Sequence, residues 1–222
     1  MIRLHHVSKV YGVGSARIPA LTDVSFTLDK GEFAVLSGPS GAGKTTLLRL
    51  LYCEERPTEG EIEVAGFPVS DLRRGQVPPL RRAIGIVFQD AKLLPRRTVF
   101  ENVAFVLRVL ATPRREIMPR AFAALKAVGL SARAQSYPAE LSQGEAQRAS
   151  LARAIAKSPA LLLADEPTGS LDDGMAAEIV DLLKDIWTRG TTVLLATHQS
   201  GLFAQIKRRT LTLTGGRLVR DE

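Results

Sequence analysis

Four short apolar runs along the chain each end at polar residues. The runs are EFAVLSG at residues 32–38, AIGIVFQ at 83–89, LLLADE at 161–166 and TTVLLATH at 191–198. Runs of this length, rich in Val, Ile and Leu and nearly free of polar residues, are typical of parallel strands that are buried on both faces. We therefore predict an α/β fold with a parallel core sheet, in which the strand ends bring these polar residues to one edge.

The segments around these runs have different patterns. Apolar residues at helical spacing in residues 98–111, 114–130 and 142–158 predict a helical subdomain, over approximately residues 90–158, inserted into the α/β core. The first thirty residues and GEIEVAGFPV at 60–69 predict an N-terminal antiparallel β-subdomain. RTLTLTGGRLVRDE at 209–222 predicts a hairpin that turns at Gly215–Gly216. Since neither a linker nor a repeat interrupts the chain, we predict a single domain over residues 1–222.

The first run leads into SGPSGAGKTTLLRLL at residues 37–51. Its glycines, lysine and threonine fit the spacing G-x-x-x-x-G-K-[ST] of a phosphate-binding loop. In such a loop the glycines let backbone N–H groups approach phosphate oxygens, the lysine reaches the β- and γ-phosphates, and the threonine hydroxyl binds Mg²⁺. This motif alone leaves kinases, GTPases, motors and transporter ATPases open. The predicted nucleotide-binding residues here are Gly38, Pro39, Ser40, Gly41, Ala42, Gly43, Lys44, Thr45 and Thr46.

The ends of the other three strands supply the remaining chemistry. Asp165 is predicted to hold Mg²⁺ through its water shell, and Glu166 to orient and deprotonate the attacking water. Gln89 can offer its amide oxygen to Mg²⁺ or to the water, and His198 can donate to the γ-phosphate or orient Glu166. The predicted catalytic set is Glu166, His198 and Lys44. A strand-end histidine or glutamine is by itself more often structural, so these roles depend on the loop and the Asp-Glu pair.

Composition limits the setting of this chemistry. Hydrophobic residues make up 45% of the 222 residues, enough for one substantial core, and the single cysteine, Cys53, excludes an internal disulfide. No uninterrupted apolar stretch approaches the ~18 residues of a membrane span, and the N-terminus lacks the apolar core of a signal peptide. We therefore expect a cytoplasmic protein that reaches a membrane only through a partner.

The positive charge is concentrated in one part of the chain. Residues 73–120, called the basic window below, hold 11 Lys or Arg against three acidic residues, a net charge of +8. Such a window fits nucleic acid, an anionic membrane surface, an acidic partner or a solvated arginine-rich face. Charge alone leaves these four alternatives open.

LSQGE at residues 141–145, twenty residues before LLLADE, resembles the signature sequence of ABC ATPases. Other motifs follow in the order of that family. Tyr11 matches the aromatic that stacks on adenine, Gln89 the Q-loop, SLD at residues 170–172 the D-loop, and His198 the switch histidine. The resemblance implies a P-loop NTPase fold with ATP and Mg²⁺ as its cofactors.

The signature also carries an implication about assembly. In the family, Ser142 and Gly144 match residues that bind the γ-phosphate of ATP held by the loop of a second chain, so the resemblance implies a head-to-tail homodimer with ATP bound. Gln143 stands where the family usually has glycine, and Gln199 stands where aspartate is common. The first departure bears on contact with the partner's nucleotide.

Within the family, residues 77–105 are most similar to the FtsE ATPases, which work with the membrane protein FtsX in bacterial cell division. This resemblance implies an FtsX-like transmembrane partner and a peripheral position on the cytoplasmic side of the inner membrane. ATPases of lipoprotein-release and macrolide-type export systems share parts of the segment and remain an alternative.

A DNA-associated ABC ATPase is an alternative of another class. Such proteins separate loop and signature by hundreds of coiled-coil residues, whereas Lys44 and Ser142 are 98 positions apart here. The basic window overlaps the FtsE-like segment, which favours a membrane partner or an anionic membrane surface over nucleic acid.

Overall fold

The computed structural model of the protein describes residues 1–14 and 16–222, which form two sheets joined by helices and turns. The smaller sheet contains the strands β1 (Ile2–Val13), β2 (Ala16–Leu28), β4 (Glu59–Val64) and β5 (Phe67–Pro68) in the order β2-β1-β4-β5. Its neighbouring strands are all antiparallel. The predicted N-terminal antiparallel β-subdomain is thus confirmed.

The larger sheet carries the four predicted strands. It contains β3 (Phe33–Ser37), β6 (Ile84–Val87), β7 (Leu161–Asp165), β8 (Thr192–Thr197), β9 (Arg209–Thr214) and β10 (Arg217–Asp221) in the order β10-β9-β3-β8-β7-β6. All pairs from β9 to β6 are parallel, and β10 returns antiparallel as the predicted hairpin. The carboxyl ends of β3, β6, β7 and β8 therefore lie along one edge of the sheet.

Six α-helices complete the described part of the chain. They are α1 (Lys44–Leu51), α2 (Val77–Ala83), α3 (Val99–Val109), α4 (Arg114–Ala127), α5 (Gln143–Ile155) and α6 (Asp173–Thr188). Helices α3, α4 and α5 lie between β6 and β7 in the chain and pack against one another. They form the helical insertion that the sequence pattern predicts.

The core has two apolar layers, one on each face of the parallel sheet. Along β3, Phe33 and Val35 pack into the layer shared with α3 to α6, whereas Ala34 and Leu36 pack into the layer shared with α1 and the antiparallel sheet. Successive side chains of a strand point to opposite faces, so burial on both sides requires an uninterrupted apolar run. This requirement explains the four runs seen in the sequence.

Across the part of the chain that the structure describes, no helix combines the length and the apolar character that crossing a membrane requires.

Candidate nucleotide site

The phosphate loop joins the end of β3 to the start of α1, and its glycines adopt conformations that other residues rarely adopt. Gly38, Gly41 and Gly43 have φ values of +151°, +78° and +103°. A Cβ on Gly38 would lie 2.2 Å from the Leu213 carbonyl oxygen, and one on Gly43 would lie 2.6 Å from that of Ala20. The backbone therefore wraps tightly here and leads into the N-terminus of α1, an arrangement suited to binding an anion.

Lys44 is the cation at the centre of the loop. Its side chain is almost fully buried, and Nζ donates hydrogen bonds to the carbonyl oxygens of Gly38 at 2.8 Å and Pro39 at 3.1 Å. Nζ also lies 3.5 Å from Oε1 of Glu166. Since two carbonyls and one carboxylate compensate the ammonium, the loop can hold a buried positive charge until an anion arrives.

Glu166 links the loop to the end of β8. Its second carboxylate oxygen, Oε2, lies 2.9 Å from Nδ1 of His198 and accepts a hydrogen bond of 3.3 Å from the His198 backbone N–H. Glu166 has a φ of +44°, a left-handed conformation that costs free energy in a residue other than glycine. Its backbone N–H donates to the Ala196 carbonyl oxygen at 2.8 Å, which holds the residue in place. The carboxylate is therefore fixed between a cation and an imidazole.

Asp165, one residue earlier, faces the start of α1. The Thr45 hydroxyl donates a hydrogen bond of 3.1 Å to Oδ1 of Asp165. The pKa of Asp165 is raised above its ordinary value, mainly by burial and further by the nearby Glu166 carboxylate. The hydrogen bond from Thr45 offsets part of this increase. A hydroxyl and a carboxylate at this distance are the oxygen ligands that Mg²⁺ prefers, directly or through water.

These elements surround a cavity of about 670 Å³. Loop residues 39–46 form one wall, and Gln89, Glu166 and His198 form the other. Backbone N–H groups, a buried ammonium and a helix N-terminus face the same space as the carboxylate, so the residues present fit the phosphates of a nucleotide together with a water molecule for Glu166 to activate.

The family described as ABC transporter matches residues 21–169. The chain belongs to the ABC transporter family. Over its whole length it is 50% identical to the cell division ATP-binding protein FtsE of Mycobacterium tuberculosis, covering 96% of that protein. FtsE of Streptococcus pneumoniae is 46% identical over the same 222 residues, which cover 95% of it. FtsE of Escherichia coli is 46% identical over 218 residues, which are 98% of this chain and 97% of that protein.

Solved structures agree with this assignment. The chain is similar, with a TM-score of 0.90 and 36% identity, to the ATP-binding cassette MJ0796 in a dimeric post-hydrolysis state bound to ADP and Pi, with 100% of this chain and 98% of that one covered. A second dimeric MJ0796 structure matches with a TM-score of 0.91 and 37% identity over the same shares. The predicted fold class and the resemblance to ABC ATPases are confirmed, and the chain is an ABC ATPase that binds ATP.

Of the residues predicted from the family resemblance, three do not line the cavity. Tyr11 is half-buried near the end of β1, with the Lys9 ammonium 4.8 Å from its ring centroid. Ser142 caps α5, accepting a hydrogen bond of 3.2 Å from the Glu145 backbone N–H. Gly144 lies in the first turn of α5, where a Cβ would lie 2.6 Å from the Met175 sulfur. In the described part of the chain, neither Tyr11 nor the signature residues Ser142 and Gly144 line this cavity.

The structure also adds residues that the sequence analysis missed. The C-terminal hairpin supports the phosphate loop, because the Gly216 backbone N–H donates to the Ala42 carbonyl oxygen at 3.1 Å and Gly38 packs on Leu213. Gln147 is 4% exposed, and its side chain donates to the Phe88 carbonyl oxygen at 3.1 Å, immediately before Gln89. No local motif predicts these contacts, since each joins residues far apart in the chain.

Proposed function

We propose that the protein is the ATP-hydrolysing subunit of an ABC-type membrane complex in bacterial cell division, and that it works with an FtsX-like transmembrane protein. The observation that most directly supports ATP hydrolysis is the placement of the Glu166 carboxylate between Lys44 and His198 at the phosphate loop. The cell-division role is supported by relatives at 43–50% identity that are named FtsE. These relatives favour the cell-division role over the lipoprotein-release and macrolide-export alternatives.

Each side chain has a proposed role toward ATP. Residues 38–46 bind the phosphates, Lys44 contacts the β- and γ-phosphates, and Tyr11 stacks on adenine. Thr45, Gln89 and Asp165 would hold Mg²⁺, which when bound neutralises phosphate charge. ATP binding requires Lys44 to exchange part of its present contact with Glu166 for phosphate oxygens.

Hydrolysis then depends on the released carboxylate. Glu166 takes the proton of the attacking water, with its orientation fixed by His198 and by the Glu166 backbone N–H bonded to Ala196. Lys44 stabilises the charge that develops on the transferred phosphoryl group. The placement of the carboxylate between the ammonium and the imidazole supports a hydrolytic role.

The signature is proposed to act across a homodimer. Ser142 and Gly144 lie outside the cavity of their own chain, at the N-terminus of α5, where backbone N–H groups can bind a phosphate of the second chain's ATP. The dimeric state of MJ0796 supports this arrangement. Gln143, the first residue of α5, would then lie beside that nucleotide.

The remaining proposals concern partner and position. We infer a peripheral location on the cytoplasmic side of the inner membrane through the FtsX-like protein, an anionic membrane surface as a secondary contact of the basic window, and no role in binding nucleic acid. The helical subdomain over approximately residues 90–158 would lie toward the partner.

The decisive experiment measures ATP hydrolysis by the purified protein with and without an FtsX-like protein in lipid nanodiscs. We expect Lys44-dependent hydrolysis that changes when the partner binds, and loss of hydrolysis together with weaker ATP binding in Lys44→Ala. Near-normal turnover by folded Lys44→Ala would contradict the proposed chemistry. Absence of complex formation with the wild-type chain, with or without ATP, would contradict the proposed partner.

A further inference from the structure

Tyr11, the aromatic proposed to stack on adenine, lies within reach of a nucleotide held in the phosphate cavity. It pairs across the antiparallel sheet with Ile18 of β2, and the side chains of such a pair lie on the same face of the sheet. Ala20, two residues further along β2, lines the phosphate cavity. Since a strand rises about 3.3 Å per residue, the two places are only about 7 Å apart along the strand. A nucleotide with its phosphates in the cavity can therefore place its base at Tyr11.

Lys9 covers one face of the Tyr11 ring. Its Nζ lies 4.8 Å from the ring centroid, inside the ~6 Å within which an ammonium and an aromatic face attract each other. The same Nζ donates hydrogen bonds of 2.8 Å to Oε2 of Glu55 and to the Arg56 carbonyl oxygen. Because only 12% of the Lys9 side chain is exposed, the ammonium is held against the ring. A base can then stack only on the opposite face.

The hydroxyl group of Tyr11 does not hold the ring in place. Its oxygen is buried and has no hydrogen-bond partner within residues 1–14 and 16–222. A buried tyrosine hydroxyl usually has such a partner, which fixes the direction of the ring. The orientation of the Tyr11 ring therefore depends on the groups that pack against it, and Lys9 provides the charged contact on one face.

The surroundings of Lys9 favour a role through the ring over direct binding of phosphate. The Glu55 carboxylate compensates the charge of the ammonium, and Lys9 does not line the phosphate cavity. A cation on one face of an aromatic ring is attracted by the π electrons of that ring. This attraction leaves the opposite face better suited to stacking with an electron-rich base.

We propose that Lys9 is a positioning residue for the nucleobase, which covers one face of Tyr11 and orients the ring so that adenine stacks on the other face. The proposal rests on the proposed function, because it deepens the adenine contact assigned there to Tyr11. The competing interpretation is a structural role, in which Lys9 only joins β1 to the segment after α1 through Glu55 and Arg56.

The test separates the base from the phosphates by comparing ATP with inorganic tripolyphosphate, which carries no base. Lys9→Met removes the ammonium and keeps an unbranched side chain. We expect its ATP dissociation constant to be about three- to fivefold higher, the effect of a partly exposed cation–π contact. The dissociation constant for tripolyphosphate should be unchanged. Titration calorimetry in EDTA measures both ligands without hydrolysis.

Two further variants serve as controls. Lys9→Arg should bind ATP within about twofold of the wild type, since a guanidinium can both stack on the ring and pair with Glu55. Lys184→Met, at an exposed position of α6, should bind both ligands like the wild type. With Mg²⁺ present, Lys9→Met should raise the KM for ATP about three- to fivefold and leave kcat within about twofold, because the base is remote from the reacting atoms.

A double-mutant cycle tests whether Lys9 acts through Tyr11. Tyr11→Ala should raise the ATP dissociation constant about tenfold. Adding Lys9→Met should then raise it by less than about twofold more, because the ring on which Lys9 acts is gone. A full three- to fivefold further loss in that background would overturn the proposal.

The remaining outcomes separate this proposal from the proposed function. Equal losses for ATP and tripolyphosphate in Lys9→Met would identify the structural role and overturn the proposal, as would wild-type ATP affinity in that variant. If Tyr11→Ala binds ATP like the wild type, the proposed adenine contact fails and the role of Lys9 fails with it. If Tyr11→Ala loses affinity and Lys9→Met does not, only the role of Lys9 fails. Should Lys9→Met not fold, Lys9→Gln, which can still donate to the Arg56 carbonyl oxygen, replaces it with the same expected results.

Discussion

Replacing Glu166 by Gln tests the most specific feature of the nucleotide site. The substitution removes one negative charge and keeps the size of the side chain. That charge lies 3.5 Å from the Lys44 ammonium, with both side chains largely buried. ATP must draw the ammonium toward its phosphates, and the same carboxylate repels the γ-phosphate. Glu166→Gln should therefore strengthen ATP binding while abolishing proton transfer from water.

The size of the effect follows from the distance. Two unit charges 3.5 Å apart attract each other by about 5 kcal/mol at an effective dielectric constant of about 20, before any compensation. The Gly38 and Pro39 carbonyls continue to hold Lys44, so we expect only about a third of this attraction to appear in the affinity. That share, about 1.5 kcal/mol, corresponds to an ATP dissociation constant about tenfold lower. Hydrolysis should fall by roughly 10²- to 10⁴-fold, the usual contribution of a general base.

The assay is calorimetric titration with ATP in EDTA, where hydrolysis does not deplete the ligand, followed by phosphate release with Mg²⁺. Glu178→Gln serves as the matched control, because Glu178 lies on α6 and pairs with Arg148 outside the cavity. ADP should show a smaller gain than ATP, since it lacks the γ-phosphate. Unchanged or weaker ATP binding by folded Glu166→Gln would refute the argument that the ion pair opposes nucleotide binding.

Three further predictions address adenine, the loop and pH. Tyr11→Ala should raise the dissociation constant for ATP about tenfold, since base stacking contributes roughly 1–3 kcal/mol, and a large loss of apo stability with unaltered affinity would instead identify a core tyrosine. Gly41→Ala should cost about 1–2 kcal/mol of unfolding free energy for its left-handed φ. Gly38→Ala should cost clearly more in the same urea titrations, because its Cβ would meet the Leu213 carbonyl oxygen at 2.2 Å whereas nothing lies within 4 Å at Gly41; equal losses would contradict this. Burial lowers the pKa of Lys157 to about 8. Between about pH 8 and the ordinary lysine pKa of 10.5, the folded protein therefore binds fewer protons at Lys157 than the unfolded chain, so unfolding free energy should rise with pH there. Lys157→Met should flatten that rise, and an identical pH dependence of both proteins would refute the burial argument.

The elements that the sequence predicts well are those whose pattern is set by burial on both faces or by one local motif. The apolar runs at residues 32–38, 83–89, 161–166 and 191–198 predict four parallel strands, because a strand buried on both faces must be apolar on both sides. The loop glycines are equally visible, since the close approach of Gly38 to the backbone excludes any side chain.

Long-range contacts could not be predicted in this way. The left-handed conformation of Glu166 depends on a hydrogen bond to Ala196 in the neighbouring strand. The C-terminal hairpin supports the loop through the hydrogen bond between Gly216 and Ala42. The sequence of neither segment predicts this contact with the other. Propensity and periodicity report local preferences, whereas these features arise from sheet order, which brings distant segments together.

Helix α5 connects the segment around Gln89 with the signature at Ser142, and this connection can be tested. Gln147 bonds to the Phe88 carbonyl oxygen on one side of Gln89, and Arg153 donates to the carbonyl oxygens of Ala91 at 2.7 Å and Lys92 at 2.6 Å on the other. The same helix begins immediately after Ser142. A displacement of the segment around Gln89 should therefore move the signature with it.

Gln147→Leu removes the hydrogen bond to Phe88 and places an apolar side chain of similar size in the same buried position. It should leave the ATP dissociation constant of the single chain unchanged, because Gln147 does not line the nucleotide cavity. It should lower kcat several-fold and reduce the cooperativity of hydrolysis, because the signature would no longer follow Gln89. Gln205→Leu, at an exposed position, is the control. Weaker ATP binding with unchanged kcat would mean that Gln147 supports only the local fold, and wild-type cooperativity in Gln147→Leu would show that α5 does not couple the two sites.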